Sequence, residues 1–330
     1  MKATLAKNPG KARPKIAVPA VAAPIQLQSL LVTTDLSDAS QTGVRYAAAL
    51  AKKLGLELTL FHVVEPPSWL GGMEAVALAR TEAEVVALTR KQLERLAERE
   101  RGSDLRLTVC VRTGNPVHEI TAAAGAGAAD LIVIATHGRT GLQRALLGST
   151  AERVVRHAPC PVLTVPSQAQ PATEDGQASP CQIRKLVVPM DFSQLAQAAL
   201  PWATFLAARF GAELILLHVV EKFPIDYLLG PELTAENLAR LRTQAGVELE
   251  RLAADLGTAT GLQVSAVVRD GTPFAEICAA GRELGADLIV LTTHGYTGLK
   301  QVWLGSSAER VVRHAPCPVL TVRQATGKNV

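Results

Sequence analysis

The segment THGRTGLQRALLGSTAERVVRHAPCPVLTV beginning at Thr136 returns as THGYTGLKQVWLGSSAERVVRHAPCPVLTV from Thr293, an offset of 157 residues. Earlier landmarks repeat at an offset of 156: VTTDLS around Asp35 answers VPMDFS around Asp191, and LFHVVE around His62 answers LLHVVE around His218. One residue has therefore been inserted between the landmarks. A period this long is a duplicated domain and not a solenoid repeat, because each unit holds enough elements to bury its own core. The 330 residues divide accordingly into a basic tail over 1–26, a first domain over 27–166, a linker over 167–182, a second domain over 183–323 and a short tail over 324–330. The linker, SQAQPATEDGQASPCQ, is polar and has no hydrophobic period.

Within the first unit LLVTT, ELTLFHVV, LRLTVCV, DLIVIAT and PVLTV are apolar runs of strand length, and KLVVPM, ELILLHVV, LQVSAVV, DLIVLTT and PVLTV take the same places in the second. The segments between them carry helical spacing, so each unit reads βαβαβαβαβ. Near-continuous apolar strands alternating with helices predict an α/β, Rossmann-like, doubly wound domain whose parallel sheet is covered on both faces. Ligands then bind at the carboxyl ends of the strands. The apolar content is mainly aliphatic, with only 3 Trp, 3 Tyr and 6 Phe, which suits strands buried on both sides. The two PVLTV strands, each terminal and apolar, are expected to pair antiparallel with one another, since each would otherwise leave an open edge.

The formal charge of +4 could suggest a nucleic-acid partner. However, Lys2, Lys7, Lys11, Arg13 and Lys15 all lie in the acid-free first 26 residues, and the remainder sums to −1. The folded part has no net basic field, so nucleic acid is not the expected partner. No stretch has the roughly 18 apolar residues of a membrane span, and the amino terminus lacks the apolar core of a secretory signal. Cys110, Cys160, Cys181, Cys278 and Cys317 are odd in number and scattered, as reduced thiols are. The expected location is cytoplasmic.

After the fourth strand of each unit, Gly138, nine residues and Gly148-Ser149 lead into a helical run, as do Gly295, nine residues and Gly305-Ser306. Glycine allows positive φ and close approach of the backbone to a ligand, while the free N–H groups opening a helix favour phosphate. The hydroxyls of Ser149, Thr150, Ser306 and Ser307 add donors or cap that helix. These glycines could also simply turn the chain, but their position at the carboxyl end of a parallel strand favours a ligand site. Asp35 and Asp191 stand just past the first strands. Each could cap the following helix, or accept from an adenine amine or a ribose hydroxyl.

Taken together, HGRTGL…LLGS and its copy, the first-strand Asp and the LFHVV strand resemble the ATP-binding subgroup of the universal stress protein family, over about residues 27–166 and 183–323. The resemblance implies a five-stranded parallel sheet in the order 3-2-1-4-5, domains paired through their last strands, and ATP held by Gly-x2-Gly-x9-Gly-Ser/Thr. The second and third glycines of that motif map onto Gly138 and Gly148, and onto Gly295 and Gly305. In place of the first glycine stand Ala135 and Thr292. By the same resemblance Asp35 and Val63, with Asp191 and Val219, address the adenosine end, and Ser149 and Ser306 meet phosphate. Arg139 and Arg144 stand where the second copy has Tyr296 and Gln301, while Lys300 stands opposite Gln143. The first loop is thus better supplied with phosphate partners.

No Gly-x4-Gly-Lys-Ser/Thr occurs, so the loop is not of the Walker type. His137 and His294 adjoin the glycine loops and are read as bonding backbone in the turn, since no partnering acid stands beside them. His157 with Cys160 and His314 with Cys317 form H-x2-C twice, but Pro159 and Pro316 explain each as a helix stop, and no metal site or catalytic residue is assigned. The expectation is a tandem universal stress protein that binds ATP, with Mg2+ or Mn2+, or a related adenine nucleotide. It would act on an unidentified protein partner as a stress-response regulator or protectant, with internally paired domains that could also form a homodimer. A slow ATP hydrolase or nucleotidyl-transfer enzyme and a nucleotide-free scaffold are the alternatives.

Overall fold

The computed structural model describes residues 25–66, 75–101, 104–136, 147–167, 181–221, 231–292 and 306–323. The first half runs β1 (Ser29–Thr33), α1 (Asp38–Leu54), β2 (Glu57–Val64), α2 (Ala75–Arg101), β3 (Leu107–Thr113), α3 (Pro116–Ala123), β4 (Leu131–Ala135), α4 (Ser149–His157) and β5 (Val162–Val165). The second half follows as β6 (Lys185–Pro189), α5 (Gln194–Gln197), α6 (Leu200–Phe210), β7 (Glu213–Val220), α7 (Pro231–Thr260), β8 (Val264–Asp270), α8 (Pro273–Glu283), β9 (Leu288–Thr292), α9 (Ser306–His314) and β10 (Val319–Val322). All ten predicted strands form.

Alternation along the strands divides the core into two layers. Leu30, Val32, Leu131 and Val133 pack beneath α1 and α2, whereas Leu31, Ile132 and Ile134 pack with Ile120, Val154 and Val155 of α3 and α4. Both central strands are buried on both faces, which is why their sequences are continuously apolar. Neighbouring strands within each half are parallel, and the sheet order is β3-β2-β1-β4-β5-β10-β9-β6-β7-β8. Each half therefore has the order 3-2-1-4-5, and the two join into one ten-stranded sheet.

The join is the antiparallel pair β5–β10, with Leu163 opposite Leu320. Thr164 Oγ1 donates to Val319 O at 3.2 Å and Thr321 Oγ1 to Val162 O at 3.0 Å, so both buried hydroxyls are satisfied across the seam. Above it, α4 meets α9 through Glu152, Arg156, Glu309 and Arg313. Each Arg pairs within its own helix, at 2.9 and 3.1 Å, and reaches the other helix's Glu at 3.8 Å. The repetition of AERVVRH in both copies makes this network nearly symmetric. Edge pairing of terminal apolar strands removes two exposed edges at once.

The halves differ in one respect that the repeat conceals. The first half has an unbroken α1, but the second has α5 and α6 with a break at Ala198 and Ala199. Pro201 stands where the first half has Arg45. It has no N–H to give to Gln197 O, and its ring disfavours helical geometry at Leu200. Both helices end alike, on Gly55 and Gly211 at φ 70° and 66°, a left-handed conformation that glycine adopts without steric cost.

Among the described residues no helix is long and apolar enough to cross a membrane.

Candidate functional site

In the order 3-2-1-4-5 the chain winds one way from β1 to β3 and then returns to the other side of β1. The crevice between the carboxyl ends of β1 and β4 is therefore the switch point, where helices leave in opposite directions. The amino ends are closed instead: Asp130 Oδ2 accepts from the backbone of Gln28 and Ser29, both at 2.9 Å, and Asp287 Oδ2 from Arg184 and Lys185.

On the β1 side Asp35 follows the strand, and extending the β1–β4 register of Val32 against Val133 brings it roughly level with Thr136. Its Oδ1 accepts from Ser37 N at 3.0 Å and Ser37 Oγ at 2.6 Å. Ser37 in turn is the N-cap of α1, accepting from Ser40 N. The cap reading of Asp35 is thus corrected by two residues: Ser37 caps, and Asp35 orients it. In the second half Asp191 Oδ1 accepts from Ser193 N at 2.9 Å, and Ser193 caps α5. Between each pair lies a bulky residue in the left-handed region, Leu36 at φ 66° and Phe192 at 61°. Such geometry costs ~1–3 kcal/mol and tends to occur at functional sites. It occurs here at the same position in both halves.

The turn is anchored from the second strand of each half, β2 and β7. His62 Nδ1 lies 2.7 Å from Thr34 O, and His218 Nδ1 lies 2.7 Å from Met190 O. Because a carbonyl only accepts, Nδ1 carries the proton in both rings. The histidine of the LFHVV and LLHVV runs therefore anchors the turn that presents the aspartate, a role that its spacing alone did not reveal. Val63 and Val219, next along those strands, are half-buried at the same edge.

On the β4 side Ala135 and Thr136 are buried. A Cβ placed on Gly43 of α1 would come within 3.5 Å of the Ala135 Cβ, so that methyl packs beneath α1. Thr136 O accepts the N–H of Gly148 at 2.8 Å, and Thr136 N donates to Val165 O at 3.0 Å. Gly148 is the N-cap of α4 without a side-chain cap, its φ of −58° and ψ of 139° lie in territory open to any residue, and an added Cβ would sit 3.3 Å from Thr136 O. Close packing, not positive φ, is what calls for glycine here. Ser149 is exposed and Thr150 half-buried at the first turn of α4, and Ser306 and Ser307 hold the same places on α9. The N–H groups of such a turn and its dipole favour an anion. Gly138, Arg139, Arg144, His137, Gly295, Gly305, Tyr296, Gln301, Lys300, Gln143 and His294 lie outside the described residues.

A motif missed in sequence flanks the same edge in both halves: Arg112-x-Gly114-x-Pro116-x-x-Glu119 and Arg269-x-Gly271-x-Pro273-x-x-Glu276. Gly114 and Gly271 take φ of 144° and 148°, and their N–H groups bond Val64 O and Val220 O at 3.0 Å. The glutamate folds back over the glycine toward the arginine. A hydrogen bond from His118, with Arg112 adding to it, holds the Glu119 carboxyl below the usual range. Its recurrence at an offset of 157 was the available signal.

Cys160 is half-buried and Cys317 buried. Burial pushes the Cys160 thiol up to about 11 and those of Cys317 and Cys181 up to about 12. A thiol whose folded pKa exceeds its unfolded value stabilises the fold fully below the unfolded pKa, near 9, and that contribution is lost as pH rises toward the folded value. Native protein at pH 8 is therefore expected to leave Cys181 and Cys317 unalkylated by iodoacetamide. Thermal stability should fall from about pH 9 upward. Peptide mass spectrometry and a melting series at several pH values check both.

A model of the Universal stress protein family matches residues 27–166 and 182–323. A universal stress protein of Mycobacterium bovis is 28% identical over 309 residues, covering 92% of this chain and 99% of the relative. One from Methanocaldococcus jannaschii is 34% identical over 141 residues, covering 43% of this chain and 82% of the relative. The crystal structure of a universal stress protein from Archaeoglobus fulgidus shares the fold at TM-score 0.59 and 24% identity, covering 91% of this chain and 99% of that one.

Proposed function

The chain belongs to the universal stress protein family, and on that premise we propose that it is a tandem member whose halves bind ATP, with Mg2+ or Mn2+, at the carboxyl edge of the sheet. The observation that supports this best is the first turn of α4. It opens on Gly148, has no side-chain cap, and is fastened to the end of β4 beside the switch point, with the Asp35 turn across the crevice. Phosphate belongs at that turn, where Ser149 and Thr150 add hydroxyls, and Gly138 and Arg139 are assigned to the same ligand. Adenosine belongs at Asp35 and the backbone of Val63. Asp191, Val219, Thr292, Gly295, Gly305, Ser306 and Ser307 would do the same in the second half. A divalent cation would be held chiefly by the phosphates themselves, with a first-turn hydroxyl of α4 or α9 completing its shell.

The placement of Ala135 favours this reading over a nucleotide-free scaffold. Its methyl lies under α1 against Gly43, so replacing the family's first glycine by alanine leaves the crevice side of the strand unencumbered. The second half has Ala199 in place of Gly43, Thr292 in place of Ala135 and a broken helix above them. The first site is therefore the tighter one. Function then follows as a cytoplasmic stress-response regulator or protectant whose behaviour toward a protein partner changes with nucleotide occupancy.

Mass spectrometry of the gently purified chain should find adenine nucleotide, and calorimetric titration of the stripped chain should show saturable ATP binding with unequal sites. Finding neither bound nucleotide nor affinity would leave the scaffold reading. Multiple turnover with Mg2+ or Mn2+ would instead favour the hydrolase.

A further inference from the structure

We propose that the outer face of α7 is a self-association surface, on which a second copy of this chain lays its own α7 antiparallel about a twofold axis through Gly246. Thr243, Gly246 and Val247 of α7, with Ala266 and Val268 of β8, line a groove along the outer rim of the sheet, and Arg242 and Glu250 bound it. Val247 is 64% exposed, although its neighbours Ala245 and Leu249 are buried. A Cβ on Gly246 would meet nothing within 4 Å. Among the described residues nothing packs closely enough to call for glycine there, and glycine weakens a helix interior. A bare position beside an exposed valine is, however, what a second helix backbone needs for close approach.

The charges fit the same axis. Arg242 and Glu250 stand four residues either side of Gly246. In an isologous contact each residue meets its complement twice, so Arg242 of each copy faces Glu250 of the other. Arg242 Nη1 already bonds Asp270 Oδ2 at 2.8 Å. That bond holds the guanidinium in place and leaves further donors for a second carboxylate. The helix also has the necessary length, since its 30 residues span roughly 45 Å, which can supply the ~800 Å2 per partner that a stable complex buries. Such a contact would also cover the flank of β8, an end strand of the sheet, whose open edge invites unwanted pairing. The other exposed apolar helix face, around Leu88 of α2 at 62% exposed, lacks this symmetry. Four residues either side of Leu88 stand Glu84 and Gln92, which cannot form an ion pair.

Sedimentation velocity of the full chain should show a dimer that weakens with added salt. Val247→Arg should weaken it at least tenfold while leaving the monomer folded, as its circular dichroism spectrum will show, because Val247 is exposed. Glu250→Lys and Arg242→Glu should each do likewise, and mixing those two variants should restore a dimer. Oxidation of Val247→Cys should give a disulfide-linked dimer in higher yield than Leu88→Cys. A chain that stays monomeric, a dimer indifferent to Val247→Arg, or Leu88→Cys cross-linking into a dimer as readily as Val247→Cys overturns the proposal.

Discussion

Gly148→Ile is expected to weaken ATP binding at the first site by tenfold or more, about 1.4 kcal/mol, while leaving the fold standing. Its backbone angles, φ −58° and ψ 139°, suit any residue, so no conformational penalty arises. The cost comes from space. The first added carbon would lie 3.3 Å from Thr136 O, and that oxygen is tied to the Gly148 N–H at 2.8 Å. Either α4 shifts by a few tenths of an ångström or the branched side chain covers the N–H groups of the first turn. Both outcomes spoil an anion site, and neither unpacks Val154 or Val155 from the core. Gly148→Ala should fall between the parent and Gly148→Ile. The matching change at Gly305 should cost less of the total binding. Calorimetric titration of the two isoleucine variants decides the order of the sites, and a Gly305 variant that loses most of the binding while Gly148→Ile keeps it would reverse the assignment.

Asp35→Ala should have the second large effect, a loss of ~1.5–3 kcal/mol in ATP affinity as expected for a hydrogen bond to a charged group. It also removes both bonds that orient Ser37, so some stability is lost as well. Ser37→Ala separates the two effects. That change deletes the cap of α1, expected to cost ~0.5–2 kcal/mol of stability, but leaves the carboxylate in place. If Ser37→Ala lowers affinity as much as Asp35→Ala does, the aspartate acts only through the helix it orients, and the direct reading fails.

The histidines of the second strands show how unevenly the site can be read from residue order. The repeat marks His62 and His218 as landmarks, yet spacing cannot show that each Nδ1 reaches a carbonyl 28 residues earlier. Such a bond depends on β1 and β2 lying side by side. Likewise the Asp35 turn can be placed at the end of a strand, but the left-handed Leu36 cannot, because leucine rarely adopts that conformation without a surrounding structure to impose it. The glycine at 148 is legible as a special position, but the reason differs: contact with Thr136 O, not positive φ.

What the sequence determined by itself is the duplication and the parallel α/β class. These follow from local periodicity and from the repeated order of short apolar runs, both of which survive without knowledge of neighbours. Only the tertiary structure decided that His62 and His218 reach the carbonyls of Thr34 and Met190, and that Ala135 turns its methyl toward Gly43. Each of these depends on which atoms from distant segments arrive within a few ångströms of one another, and packing at that scale is set by three-dimensional contacts that residue order does not encode locally.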